Sequence, residues 1–432
     1  MSARAGTVGA VTDTANGMPG ERPARTVLST GSTAPSTERT VLSTEDTVLS
    51  TELLLGIRGR AADYDARNAF FTEDLAELRA AGYLRPRSLA AAVRDQRLLA
   101  AHAPATALGL TMHLVWMGVA RDLADAGDDS LRWVLDEAEA GEVFAFAISE
   151  RGNDRVMSDS LTRVERVEPG EDGSAGGWAY TGTKIFTTLS PAWTRLGVIG
   201  RHDPADGGAD GGGGPSIVHG FLTRDGGGFR IEPDWDTLGM RATQSCTTVL
   251  EGAVVTDERV ARILPVGPGG DAYSLAIFAN FLTLIGAVYA GIADRALELA
   301  VASAHRRTSM RAGGAPQAHD PDIRRRVADA ALALDALAPQ LEAVARDRDA
   351  QVDRGMRWFR DLTGLKQRCV QTARDVVDQC MHIAGGGGYT AANELSRLQR
   401  DVLAGIYHPS DPESVAATIA ADLLGPVPAP AP

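Results

Sequence analysis

The segment Arg397–Glu413 holds Tyr407, His408, Asp411 and Glu413 between two helix-like stretches, a place for a proton-transfer group. Pro409 and Pro412 stop any helix from running through it, so it is read as a loop. An imidazole with an unperturbed pKa of about 6.5 can act as acid or base near neutrality. A carboxylate at Asp411 or Glu413 could do the same only within about 3 Å of the reacting proton. The simpler account of His408 is a loop or capping residue ahead of a proline, which needs no chemistry.

Those side chains must be positioned by a large scaffold. The chain has 432 residues, 44% hydrophobic and 23% charged, enough for two or three domains with a substantial core. A net charge of −13 would mostly repel a phosphate backbone or an anionic membrane, so nucleic acid and membrane partners are disfavoured. Cys246, Cys369 and Cys380 are widely spaced, form no metal-ligand pattern and cannot all pair. They are read as packing residues in a reducing, cytoplasmic setting, with no metal site. Leu275–Ala293 comes nearest to a membrane span, but Asn280, Thr283 and its small residues suit a buried bundle helix better. The N-terminus shows no basic start followed by an apolar core, so no secretory signal is expected.

Residues 1–50 are rich in Thr, Ser, Gly, Pro and Ala and repeat Thr-Val-Leu-Ser-Thr from Thr26, Thr40 and Thr47, a composition expected to stay disordered. Across 51–142 the apolar residues recur at helical spacing, as in Leu53, Leu54, Ile57 and Ala61, and predict a helical domain. His102 and His113 fall in its apolar part and are read as hydrogen-bonded core residues. Short strand-like runs punctuated by Gly or Asp fill 143–265 and predict an antiparallel β domain of barrel or sandwich type, with Pro204–Pro215 as a surface excursion. From 270 to 426 long helices return: Ala272 to about Arg311, Asp320–Gln351, Met356–Ile383 and Glu413–Leu424, a four-helix bundle.

This α+β order resembles the acyl-CoA dehydrogenase superfamily over roughly residues 55–424, and several motifs carry the likeness. Ser149-Glu150-Arg151-Gly152 is similar to its Thr-Glu-Pro-Gly flavin segment, and Gly182-Thr183-Lys184-Ile185-Phe186-Thr187-Thr188 to its Gly-x-Lys-x-Trp-Ile-Thr segment. The resemblance implies a Ser149 hydroxyl at the flavin ring, Phe186 as an aromatic wall on it and Thr188 near its N5. Leu238-Gly239-Met240-Arg241-Ala242-Thr243 resembles the turn near the substrate channel. Gly291-Ile292-Ala293 with Arg295-Ala296-Leu297 resembles a family helix, which makes Arg307 the arginine that reaches a neighbouring subunit's cofactor pyrophosphate. Gly385–Gly388 before Tyr389 is similar to the phosphate-approaching glycine turn, with Gly385 and Gly386 as its backbone donors. His382 stands where the family often has an adenine-side Gln.

The departures bear on the reaction. Arg85-Pro86-Arg87-Ser88 replaces an expected Pro/Gly loop, Phe281 and Leu282 stand at an alternative Glu and a substrate Arg, and Met310 replaces an aromatic residue beside the cofactor arginine. The family's catalytic Glu removes an α-proton of a thioester while hydride passes to the flavin. Here the Arg400-Asp401 pair anchors the comparison: matching Ile406-Tyr407 puts His408 at that position and counting rigidly from Arg400 gives Pro409, so neither choice yields a carboxylate. Superfamily members that act as reduced-flavin monooxygenases likewise lack the Glu and the Arg. The resemblance therefore implies a flavin-dependent oxidoreductase with FAD or FMN and His408 as acid or base, leaning to oxygenation of a small molecule with a partner flavin reductase. The alternatives are an acyl-thioester dehydrogenase with a replaced or relocated base and an electron-transfer flavoprotein partner, or a degenerate flavin-binding protein without turnover. A homotetramer or homodimer is implied in each case.

Overall fold

The computed structural model describes residues 47–170, 176–204 and 214–425. The expected tail to about residue 46, and nearly all of the Pro204–Pro215 excursion, lie outside them. Thr47–Ser50 belong to the packed structure: Leu49 is fully buried, Thr47 Oγ1 donates to Asp95 at 2.6 Å, and Ser50 caps the first helix by accepting from Leu53 N.

Five helices come first: α1 (Thr51–Arg67), α2 (Thr72–Ala80), α3 (Leu89–Ala100), α4 (Pro104–Asp125) and α5 (Arg132–Glu139). In α1, Leu54, Ile57, Ala61 and Tyr64 are the buried face, at the spacing of one helical stripe. Helix α4 is buried nearly all round, because it lies between α3 and the elements that follow. His113 in α4 bonds Leu84 O through Nε2 and accepts from Phe144 N through Nδ1, while Trp116 Nε1 donates to Ala145 O, so both fasten the helical part to the next strand. His102 is likewise buried, with Nδ1 on Leu98 O.

Eight strands follow: β1 (Phe144–Ala147), β2 (Arg163–Val167), β3 (Gly177–Thr187), β4 (Arg195–His202), β5 (Ser216–Thr223), β6 (Phe229–Ile231), β7 (Cys246–Thr256) and β8 (Val260–Pro265). They form one sheet in the order β6-β7-β3-β2-β4-β5-β8, with β1 added against β4. The expectation of a purely antiparallel domain needs correcting, since β1 runs parallel to β4 along Phe144–Ala147 and β2 touches β4 in parallel at Arg163. Strand β1 leaves the helical part and the chain returns through the β2–β3 hairpin before β4 is laid beside it. That long connection permits the parallel pairing that a tight turn would forbid.

The last part is helical: α6 (Ala272–Arg306), α7 (Pro321–Asp335), α8 (Leu337–Asp349), α9 (Arg357–Ala384), α10 (Glu394–Val402) and α11 (Pro412–Leu424). The helix expected over Asp320–Gln351 is two helices. Pro339 in the first turn of α8 lacks an N–H and its ring clashes with the carbonyl four residues back, at Asp335, where α7 ends. Helix α6 is long and apolar enough to cross a membrane, yet 83% of its most apolar 18-residue window is buried inside the protein, as the central helix of a bundle must be.

Gly239, in the turn after β6, packs on the backbone of α10. A Cβ there would stand 2.3 Å from Arg400 O and 2.7 Å from Asp401 N. Neither atom can swing aside, so Gly239→Ala is expected to destabilise by about 1–3 kcal/mol, as overpacking does. A denaturant titration checks this, and an unchanged midpoint would mean that the turn is free to lift.

Candidate functional site

The flavin-like motifs meet through their backbones. Ser149 follows β1, and its carbonyl accepts Ile185 N at 2.9 Å, so Ser149 lies beside the end of β3 that carries Phe186. Leu189 N and Ser190 N donate to Thr243 O and Gln244 O, which joins this end to the Met240–Gln244 turn. Thr188 Oγ1 and Ser245 Oγ are 2.9 Å apart. Gln244 Nε2 in turn donates to Asn68 O, and Asn68 Nδ2 to Trp235 O.

Backbone strain gathers here. Asn68, Phe186, Leu189, Met240 and Gln244 all have positive φ, between 43° and 67°, and they are five of the seven non-glycine residues in that state among the described residues. Such conformations cost about 1–3 kcal/mol each and persist where surrounding structure imposes them for a purpose. Phe186 is 55% exposed with its ring edge-on to Trp235 at 6.1 Å. A strained, exposed aromatic beside Ser149 and Thr188 fits a flat ring system.

Sequence reading missed what fixes this geometry. Glu150 and Lys184, members of the two flavin-like motifs that were given no role of their own, form a buried ion pair at 2.7 Å. Glu150 also accepts from Thr162 N, Thr162 Oγ1, Ser160 Oγ, Leu161 N and Asn153 Nδ2. Burial opposes its ionisation, but Lys184 and these donors outweigh it and bring the carboxyl down to about 2. The signal was present as two charges inside strand-like apolar stretches.

The second cluster sits where α6 and α9 end. Arg307 Nη1 donates to Ile383 O and Ala384 O at 2.9 and 2.6 Å, capping the last carbonyls of α9. Gly385 has φ +61° and a Cβ there would meet the Arg307 guanidinium at 2.9 Å, so glycine is required. Gly386 is exposed with open space about it, and His382 is exposed on the same turn, 3.6 Å from Asp378. A guanidinium beside side-chain-free amides fits a phosphate group. The structure thus brings Arg307, His382, Gly385 and Gly386 together, on elements different from those that carry Ser149, Phe186 and Thr188.

His408 stands in the loop after α10. Its Nε2 is 2.8 Å from the hydroxyl of Tyr289, a fully buried residue of α6, and its Nδ1 has no partner among the described residues. Burial, with the Lys366 ammonium adding to it, pushes the imidazole down to about 3, so it is neutral at physiological pH. The other candidates in the loop are committed elsewhere. Asp411 is exposed and caps α11 by accepting Ser414 N at 2.7 Å, and Glu413 is exposed in the first turn of that helix.

One carboxylate deeper in the protein has an oxygen without a hydrogen-bond donor, 3.8 Å from Arg397 Nη1. Asp401 accepts Met240 N through Oδ1 at 2.6 Å, while Oδ2 has no hydrogen-bond partner and burial raises its pKa despite Arg397. It lines a cavity of about 10 Å³ with Tyr64, Asp65, Arg241 and Arg397, room for a single water. No group of three or more His, Cys, Asp or Glu suited to a metal ion occurs among the described residues.

A family profile described as "Acyl-CoA dehydrogenase, C-terminal domain" matches residues 283–410. The L-evernosamine nitrososynthase of a Micromonospora species is 33% identical over 239 residues, 54% of this chain and 53% of that protein. The match thus spans about half of that relative's length. The putative acyl-CoA dehydrogenase YdbM of Bacillus subtilis is 29% identical over 381 residues, 84% of this chain and 92% of that protein. The solved structure of KijD3 in complex with FMN and dTDP-3-amino-2,3,6-trideoxy-4-keto-3-methyl-D-glucose superposes with a TM-score of 0.73 at 26% identity, covering 87% of this chain and 91% of that one. With helical, sheet and bundle parts in the same order as in these relatives, the chain has an acyl-CoA dehydrogenase-like fold, and its residues 283–410 match that family's C-terminal domain.

Proposed function

We propose that the chain is a flavin-dependent oxidoreductase that oxygenates a small molecule with reduced flavin and O2, and that the molecule is an amine, of the kind carried by an amino sugar. The observation that carries this reading is the loop at His408. It turns no carboxylate inward, and its one inward side chain is a neutral imidazole brought to about 3, too weak a base to remove a proton from carbon. Oxygen transfer to an amine asks less, because the nucleophile is the nitrogen lone pair and the proton to be lost is already on a heteroatom.

When bound, a reduced flavin supplies the two electrons that activate O2. One oxygen atom goes to the substrate, and the other leaves as water after taking up two protons. In this reading Phe186 backs the ring, Ser149 and Thr188 offer hydroxyls to its edge, and His408 holds or passes a proton at Nδ1 while Tyr289 fixes Nε2. Arg307 and the Gly385–Gly386 amides hold the phosphate end of FAD or FMN, serving a second copy in a homodimer or homotetramer. Turnover consumes reduced flavin, so a separate reductase is the required partner. The name of the 33% identical relative and the amino sugar in the KijD3 complex support the choice of amine.

A rival reading, acyl-thioester dehydrogenation, is favoured by Asp401, whose pKa is raised and whose Oδ2 accepts no hydrogen bond, as a base needs, though Arg397 stands 3.8 Å from it. The cavity it faces admits no thioester. The test is to supply the purified chain with a flavin reductase, NADH, FAD or FMN, isotopically heavy O2 and a panel of amine-bearing nucleotide sugars. One heavy oxygen atom in a product, dependent on reduced flavin, is expected; flavin reoxidation with no labelled product from any amine would refute the amine assignment.

A further inference from the structure

We propose that Lys366 is a positioning residue that sets the His408 loop by binding three of its backbone carbonyls at once. Lys366 lies on α9 and is fully buried, with no carboxylate in hydrogen-bond contact among the described residues. Its Nζ donates instead to Gly405 O at 3.2 Å, His408 O at 2.9 Å and Ser410 O at 2.8 Å. An ammonium has three N–H groups, and each finds one carbonyl.

The segment it holds has little else to fix it. Between the 3₁₀ turn Leu403–Ile406 and α11, the backbone bonds are Tyr407 N to Ala404 O at one end and the Asp411 cap at the other. Lys366 takes a carbonyl from the turn, one from His408 itself and one beyond it, so it spans the segment. Tyr289 then fixes the side chain of the residue whose main chain Lys366 has placed. The two anchors come from neighbouring helices, α9 and α6, and converge on one residue.

A buried ammonium without a carboxylate is costly, and burial brings Lys366 down to about 8, with Asp411 opposing that shift. A methionine would fill the space without the charge. That a charge stands there at all is explained by what it binds. The same ammonium disfavours protonation of the neighbouring imidazole, so it acts on His408 both through the main chain and through its field.

The consequence for catalysis rests on the proposed role of His408; the consequence for the loop does not. In Lys366→Met, amide hydrogen exchange across residues 405–410 is expected to quicken by about tenfold or more, the equivalent of one lost anchoring interaction, while exchange in α6 and in the sheet stays unchanged. Turnover should fall to about the level of His408→Ala, and the double variant should fall no further. The His408 ionisation, followed by the imidazole ¹⁵N resonances, should move up from about 3.

If Lys366→Met does not fold, the wild-type protein provides the readout. A neutral amine has two N–H groups for three carbonyls, so exchange of the same segment, corrected for intrinsic base catalysis, should quicken as pH rises through about 8. The titratable groups facing Lys366 are His408, already neutral there, and Asp411. Unchanged exchange at 405–410 in both arms would overturn the clamp, and a loosened loop with unaltered turnover would overturn its catalytic part. Full turnover in His408→Ala would instead sink the function proposed for His408, leaving the exchange result to judge Lys366.

Discussion

Replacing Lys184 by methionine is expected to cost about 3–5 kcal/mol of folding stability and to weaken flavin binding with it. The side chain is fully buried and is the sole cation on Glu150 among the described residues, so its loss strands a buried carboxylate. Glu150→Gln in the same background should recover part of the loss, because a neutral amide oxygen still accepts from Thr162 N or Leu161 N. The pH dependence has a definite sign. In the wild type Glu150 has a folded value of about 2, below its ordinary 4.5, so its stabilisation is present above 4.5 and is lost as pH falls towards 2. Without Lys184 only the hydrogen-bond donors oppose burial, so the folded value rises and the variant loses less stability on acidification than the wild type does. The gap between the two proteins should therefore narrow as pH falls. A constant gap in urea titrations from neutral to acid pH would show that the pair does not carry the effect.

His408→Ala is expected to lower the turnover number by about 10²-fold, the size usual for a group that handles a proton in the rate-limiting step. It also leaves the buried Tyr289 hydroxyl without its partner, at a further cost of about 1–3 kcal/mol in stability. Tyr289→Phe separates the two effects, since it keeps the imidazole and frees only its orientation. A smaller loss of turnover is expected there. Because the imidazole is held at about 3, the wild-type rate should show no limb from His408 across the physiological range. A His408→Ala enzyme of unaltered rate would make His408 a structural residue of the loop.

The fold was legible because its signals are local. Helical stripes such as Leu54-Ile57-Ala61 and the strand-like runs of the middle part follow from side-chain periodicity, and the flavin motifs stand at the ends of strands where such residues must be. What periodicity does not encode is partnership. Nothing local tells that β1 pairs in parallel with β4, or that Tyr289 meets His408 across 119 positions. Lys366 reads as one more polar residue on an amphipathic helix until its three carbonyls are seen. The break at Pro339 was local and legible; the alanine-rich flanks around it carry the opposite propensity. For His408 the sequence indicated a place, and the structure supplied a neutral imidazole with one nitrogen fixed and the other open.

The most direct test of the central claim, that this scaffold has lost the base for thioester dehydrogenation, is an anaerobic titration of the protein carrying oxidised FAD with saturated acyl-CoA thioesters of increasing chain length. The visible absorbance of the flavin is expected to stay unchanged with each of them. Bleaching to the reduced flavin by any acyl-CoA would contradict the account and return Asp401 or a moved loop carboxylate to the role of base.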